Sequence, residues 1–247
     1  MNVGMYQSAA SLSALERWQD AVTQNITSNQ VSGYKKRTVN FSTVSAGELA
    51  RSDGKVGDNR GMPMYFPRAA YGINFAMGET QPTRRELDVA LQSEGFFEVQ
   101  LEDGQRGYTR AGELRIRPDR TLVTSQDVPI LSDAGTPIQL LPGGGPVVIN
   151  ADGTIVQNNT QLGRLSVVKF ADNQLLRPMS AGVFLSGGQA SQPVEHPEIL
   201  QGYLEGANTA PLREMVDLVN IARAYEANQK LIQARDDAMA KTLQNLG

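Results

Sequence analysis

The sequence predicts an α+β protein. N- and C-terminal helices form a paired, coiled-coil assembly region, with a central antiparallel all-β domain and an extended linker arm. Three observations lead there. Apolar residues recur at helical spacing only near the two ends, in residues 5–30 and 212–246. From about residue 75 to 205 the period drops to two, and Gly and Pro turns break the runs. Between these regions the chain is polar and Gly-rich, with no sustained period. The expected boundaries are 1–34 for the N-terminal assembly helix, 35–74 for the arm, 75–205 for the β domain and 206–247 for the C-terminal assembly helix.

In the first segment Met5, Leu12, Leu15, Trp18, Val22 and Ile26 follow steps of three, four and seven, which places most of them on one side of a helix. Ser32-Gly33 marks the stop, because Gly readily takes the left-handed conformation that ends helices. In the last segment Leu218, Tyr225, Ile232, Met239 and Leu246 recur every seven residues. Met215, Ala222 and Leu243 fill part of a second row, which Gln229 and Asp236 interrupt. Seven-residue spacing is what a left-handed coiled coil requires. Pro211 suits a first helical turn, with Asn208 or Thr209 as the expected cap. Two helices can also roof one globular core. Their places at opposite chain ends and their narrow seams favour pairing, with each other or with neighbouring copies.

The arm opens with Lys35-Lys36-Arg37, three charges expected to be solvated at a helix exit. Residues 38–41 and 64–66 hint at strands, so the segment reads as an extended arm or loose hairpin. In the β region strands are expected at 87–91, 95–101, 106–110, 113–117, 121–124, 129–131, 138–140, 147–149, 154–157, 165–170 and 182–185. Turns such as Asp133-Ala134-Gly135, Asp152-Gly153 and Ser186-Gly187-Gly188 separate them. Many short strands at close spacing suggest a sandwich-like or barrel-like domain.

Composition narrows the function. The net charge is −3 with both signs spread along the chain, unlike a nucleic-acid platform. There is no cysteine, so no disulfide framework and no thiolate metal site. No apolar run approaches the ~18–20 residues of a membrane span, and no direct membrane insertion is expected. The N-terminus lacks the charged and apolar regions of a cleavable signal. The single histidine, His196, lies in a loop beside Pro197 and is expected to be solvated. Pro142-Gly143-Gly144-Gly145-Pro146 lacks the Gly-Lys-Ser/Thr of a phosphate loop and reads as a turn. The carboxylate pairs Glu102/Asp103 and Asp236/Asp237 are adjacent in sequence, not placed to face each other across a cleft. No catalytic, cofactor-binding or metal-ligating residues are expected, and no enzyme activity.

Four stretches carry a family resemblance. The first is Asn25-Ile26-Thr27-Ser28-Asn29-Gln30-Val31-Ser32-Gly33-Tyr34-Lys35. The second is Leu87-Asp88-Val89-Ala90-Leu91-Gln92-Ser93-Glu94-Gly95-Phe96-Phe97-Glu98-Val99. The third is Tyr108-Thr109-Arg110-Ala111-Gly112-Glu113-Leu114. The fourth is Gly202-Tyr203-Leu204-Glu205-Gly206-Ala207-Asn208-Thr209, followed by Glu214-Met215-Val216 and Arg223-Ala224-Tyr225-Glu226-Ala227-Asn228. In this order they resemble the axial proteins of the bacterial flagellum, its rod and hook proteins. Ile26-Thr27-Ser28 and Ala207-Asn208-Thr209 depart from the family's Leu-Ala-Asn and Ser-Asn-Val. Within the family the chain resembles the proximal rod branch, with the distal rod branch next.

The resemblance implies a structural rod subunit of the flagellar basal body. It would leave through the flagellar type III export apparatus without a cleaved signal peptide and assemble in the periplasmic space into a helical, torque-transmitting tube. Its partners would be copies of itself and other flagellar rod and hook proteins. Seam and resemblance together place the assembly interface at Met5, Leu12, Leu15, Val22, Asn25 and Ile26 in the first helix. In the second it comprises Met215, Leu218, Ala222, Tyr225, Asn228, Ile232, Met239, Leu243 and Leu246. Alternatives are a hook or distal-rod subunit or, in a different class, a secreted glycan-binding or glycan-cleaving β module with helical dimerisation arms. The single Trp18 lies in a helix, which argues against an aromatic sugar platform.

Overall fold

The N-terminal apolar stripe forms helix α1 (Val3–Thr27). Strands β1 (Arg37–Leu49) and β2 (Met62–Ile73) follow it, and the C-terminal heptads form helix α2 (Pro211–Leu246). The computed structural model describes residues 3–49, 62–180 and 182–246, and their side chains except at 3–4, 46–49, 62–64, 243 and 245–246. The chain divides into two units. A helical unit holds residues 1–26, 37–73 and 210–247, and a β unit holds 27–36 and 74–209.

In the helical unit β1 and β2 form an antiparallel hairpin from Arg37↔Ile73 to Leu49↔Met62, with a register shift between Ser45 and Glu48. A two-stranded hairpin is marginal in water by itself. Here α1 lies against it. Trp18 meets Phe41 edge-on, with ring centroids 5.7 Å apart. Arg17 Nη1 donates to the Ala69 carbonyl at 2.8 Å, and Gln7 Nε2 to the Tyr65 carbonyl at 3.2 Å. The two helices also touch. Asn25 Nδ2 donates to Glu214 Oε2 at 3.0 Å, and Arg235 Nη1 to Ser8 Oγ at 3.3 Å. Numbers rise along α1 as they fall along α2, so the helices run antiparallel. Ala14, Ala21 and Val22 are buried in α1, and Ile221 in α2.

Neither expected cap starts α2. The Ala210 carbonyl accepts the first helical bonds, from the Arg213 and Glu214 N–H groups. Asn208 and Thr209 are bonded elsewhere, as described below.

In the β unit the main sheet is antiparallel with six strands. Their order is Arg177–Ser180, Val183–Leu185, Arg106–Thr109, Phe96–Gln100, Val167–Lys169, Gln192–Pro193. A three-stranded sheet joins Thr160–Arg164, Thr154–Gln157 and Val147–Ile149. Paired strands complete the unit: Val89–Leu91 with Ile199–Gln201, Thr80–Pro82 with Tyr203–Glu205, and Leu114–Ile116 with Leu122–Thr124. Val89, Phe97, Val99, Leu122, Ile130, Ile155, Leu165 and Ile199 form the centre of the core.

Two expected strands, 129–131 and 138–140, are reduced to isolated bridges such as Val99↔Ile130 and Thr121↔Gln139. Pro129 and Pro137 lack the N–H a continuous ladder needs. The strands Thr80–Pro82, Thr160–Arg164, Arg177–Ser180, Gln192–Pro193, Ile199–Gln201 and Tyr203–Glu205 were not suggested by the sequence pattern. Of these, Thr160–Arg164 follows a two-residue loop, Asn158-Asn159, with φ of 50° and 61°. Asn tolerates this left-handed region, which tight hairpin turns require.

Candidate functional site

The four family-like stretches converge on a buried junction inside the β unit. Strand Tyr203–Glu205 delivers the Glu205 carboxylate, which is 2% exposed. Its Oε1 accepts from Lys35 Nζ at 2.6 Å and from the Gly78 N–H at 2.9 Å. Its Oε2 accepts from Arg110 Nη1 at 2.9 Å. The Glu205 backbone carbonyl accepts from the Gly33 N–H at 2.7 Å. Lys35 and Arg110 are themselves 2% and 4% exposed.

Each cation is further secured. Lys35 Nζ also donates to the Ala76 carbonyl at 2.8 Å. Arg110 donates through Nε to the Gly95 carbonyl at 2.8 Å, through Nη2 to Ser93 at 2.7 Å and through Nη1 to Leu91 at 3.2 Å. Its guanidinium carbon lies 5.8 Å from the centre of the Phe96 ring. A planar, five-donor fork suits this site, where several carbonyls and a carboxylate meet.

The backbone must come close for this to form. Gly33 has φ of +67°, and a Cβ there would run into the backbone of Arg110. Glycine meets both demands. Beside it, Asn208 acts as a double clasp. Its Oδ1 accepts from the Lys36 N–H at 2.6 Å, and its Nδ2 donates to the Asn74 and Ala76 carbonyls, each at 2.8 Å. Thr209 Oγ1 donates to Asn29 Oδ1 at 2.7 Å.

The electrostatics are unequal by construction, since one carboxylate serves two cations. Burial pushes the Glu205 pKa up. The charges of Arg110 and Lys35, with the Lys35 and Gly78 hydrogen bonds, pull it down further, and the net is below the ordinary value. For Lys35, burial dominates and lowers the pKa, only partly opposed by a carboxylate shared with Arg110. The expectation of a solvated basic triplet fails at Lys35. Its aliphatic stem is enclosed and its charge satisfied by residues far away in sequence.

A second, smaller junction lies in the helical unit. Asn25, 1% exposed, donates through Nδ2 to the Arg37 carbonyl at 2.9 Å and accepts at Oδ1 from the Arg37 N–H at 2.8 Å. The same Nδ2 reaches Glu214, also 1% exposed. One amide thus ties the end of α1, the first residue of β1 and the first turn of α2.

The other sequence-predicted interface residues are placed unequally. Val22 is buried, Leu12, Leu15 and Ile26 are half-buried, and Met5 is more open. In α2, Tyr225, Asn228 and Ile232 are half-buried, while Met215, Leu218, Ala222 and Met239 are exposed. The side chains of Leu243 and Leu246 lie outside the described residues. Sequence reasoning missed Glu214, Ile221 and the Lys35–Glu205–Arg110 cluster as site residues. The signal lay in the four stretches, which supply Gly33, Lys35, Gly95, Arg110 and Glu205 to the junction. His196 is exposed. Among the described residues no group of three or more His, Cys, Asp or Glu side chains could hold a metal ion, and no helix is long and apolar enough to cross a membrane.

Two family models match the chain: "Flagellar hook protein FlgE/F/G D1 domain" over residues 90–157 and "Flagellar basal body rod FlgEFG protein C-terminal" over residues 200–246. The chain is 30% identical to the flagellar basal-body rod protein FlgF of Caulobacter vibrioides, over 100% of this chain and 99% of that protein. It is 34% identical to FlgF of Escherichia coli K12 over 71% of this chain and 74% of that one. It is 31% identical to the rod protein FlgG of Buchnera aphidicola over 68% of each.

Proposed function

The chain belongs to the flagellar basal-body rod protein family, and from that premise we propose how its parts divide the work of a rod subunit. It is a structural subunit of the basal-body rod. The observation that carries this is the collinear match to a rod protein over the whole chain. The junction geometry agrees with it, because the family-like stretches supply Gly33, Lys35, Arg110 and Glu205 to one buried network that ties the β unit together.

The subunit occupies the proximal, FlgF-type part of the rod and performs no catalysis. It passes unfolded through the flagellar export apparatus and joins copies of itself and other axial proteins in the periplasm. The terminal helices polymerise, pairing as a coiled coil along the seam from Met5 to Ile26 and from Met215 to Leu246. The β unit is the body they carry. Contacts between unlike patches, repeated without closing, generate a helical array.

The test is a strain lacking this protein. Electron microscopy of its basal bodies should show rods cut short near their base, restored by the wild-type chain. The Ile232→Asp chain should fail to restore them, since it places a charge where a helix partner must desolvate it. Intact rods in the deletion strain would overturn the rod reading. Rods lost only beyond the proximal segment would move the subunit to the distal, FlgG-type position, to whose proteins the chain is also similar.

A further inference from the structure

The helical unit carries two apolar surfaces that stay exposed. The first is on α2. Leu212 is 81% exposed, Met215 52%, Val216 59% and Val219 51%. Steps of three, four and seven from Leu212 put the four on one helix face. The buried Glu214 and Ile221, seven residues apart, lie on a different face, because two residues along a helix is a rotation of roughly 200°. The part of α2 that meets α1 through Glu214 is therefore not the part that shows Leu212 and its companions.

The second surface is on the hairpin. The register sets Val39 opposite Tyr71, Phe41 opposite Ala69 and Ser45 opposite Tyr65, so alternation puts these residues on one face. That face already receives a helix. Ala69 is buried, Trp18 of α1 packs on Phe41, and Arg17 bonds the Ala69 carbonyl. Yet α1 covers it only in part, because Phe41, Tyr65 and Tyr71 each keep about half their surface exposed.

We propose that the open part of this aromatic face takes the Leu212–Val219 stripe of α2 from a second copy of the chain. The proposal rests on the rod reading and names the contact behind it. The occupant follows from continuity. The exposed rings extend an existing helix–hairpin interface, so the fitting partner is another helix with an apolar stripe. This chain exposes such a stripe, with no charge at its four positions. Stripe and hairpin face are unlike patches on one molecule, so a head-to-tail contact between them generates an open helical array where its rotation does not close.

The chain has no cysteine, which makes the test direct. Val219→Cys and Tyr71→Cys chains are produced together, each also alone, in a strain making no other copy, and isolated basal bodies are treated with a short bismaleimide. A cross-linked dimer is expected only when both chains are present, with little in either single-variant strain. Separately, Val216→Asp should lower incorporation into rods at least tenfold while leaving hydrogen exchange of the β unit unchanged. A cross-link between two Val219→Cys chains, or from Tyr71→Cys to a different axial protein, would overturn the proposal. So would full incorporation of Val216→Asp with no cross-link. If the cysteine-free chain itself never enters rods, the rod reading fails first and this contact with it.

Discussion

Around Glu205, two cations, one carboxylate and four backbone carbonyls are bonded inside the β unit, whereas along α2 only Glu214 and Ile221 are buried among the described side chains. Both regions contain family-like residues, yet they are finished to different degrees. The junction is complete within the unit, because both cations and the carboxylate they share are hydrogen-bonded and its backbone approaches are closed. The helix has set one face against α1 and left a second, apolar face exposed. Helical stability comes mostly from packing, so such a helix gains from a partner what the monomer does not give it. The difference separates residues that hold one subunit together from residues left to join subunits.

The contrast breaks hardest at Glu205. Glu205→Ala removes the carboxylate and leaves two buried cations facing each other, which costs about 3–5 kcal/mol of β-unit stability. Urea titration followed by hydrogen exchange of β-unit amides should read it, with the α1 amides changed much less. Lys35→Met sharpens the point. It keeps the Arg110–Glu205 pair and puts an apolar chain where the buried lysine stem lies, so the loss should stay under about 2 kcal/mol. Equal losses from the two variants would mean that Glu205 is not shared as the geometry says. Next in size is Gly33→Ala, which meets both a left-handed φ and the Arg110 backbone and should cost about 2 kcal/mol or more, with the same readout.

The fold class was legible because period is a direct consequence of burial. Helical steps at Leu15, Trp18 and Val22 and alternation at 87–91 survive any detail of packing. The junction was not legible, because no local pattern tells a solvated lysine from one whose partners lie 170 residues away, as Glu205 does from Lys35. The same holds for α2. Heptad spacing selects Met215 and Leu218, but the face turned inward carries Glu214, a carboxylate that Asn25 makes tolerable. Hydrophobicity ranks side chains by cost in isolation, and a hydrogen-bond partner across the fold reverses the rank.

Asn25→Ala tests the incomplete side of the comparison. It removes both bonds to Arg37 and the bond to Glu214, leaving buried groups unsatisfied, for an expected loss of about 1–3 kcal/mol confined to the helical unit. Amides of β1 and β2 should exchange faster while the sheet around Phe97 is unaffected. If the β unit is destabilised as much, the two junctions are one cooperative system and the division drawn above is wrong.

The smallest effect is the dependence on acid, and its sign is fixed by the junction. Glu205 titrates below the ordinary carboxylate value of 4.5 when folded, because two cations and a backbone N–H outweigh its burial. Between that lowered value and 4.5 the unfolded chain binds more protons than the folded one, so stability rises with pH across the window. The contribution is complete above 4.5 and is lost as pH falls through the folded value. Asp119 and Asp152 are also lowered, chiefly by the N–H groups of Thr121 and Thr154, and they add a slope of the same sign from exposed turns. A wild-type curve alone therefore cannot assign the effect. The difference in slope between wild type and Glu205→Gln can, because the amide keeps the shape but does not titrate. Its NH2 meets a donor and the counter-charge is gone, so the variant is less stable at every pH and only the slopes are compared. The urea midpoint of the β unit should fall more steeply below pH 4.5 in wild type than in the variant. Parallel curves would mean that the carboxylate at the meeting point of the four stretches is not held charged by Lys35 and Arg110.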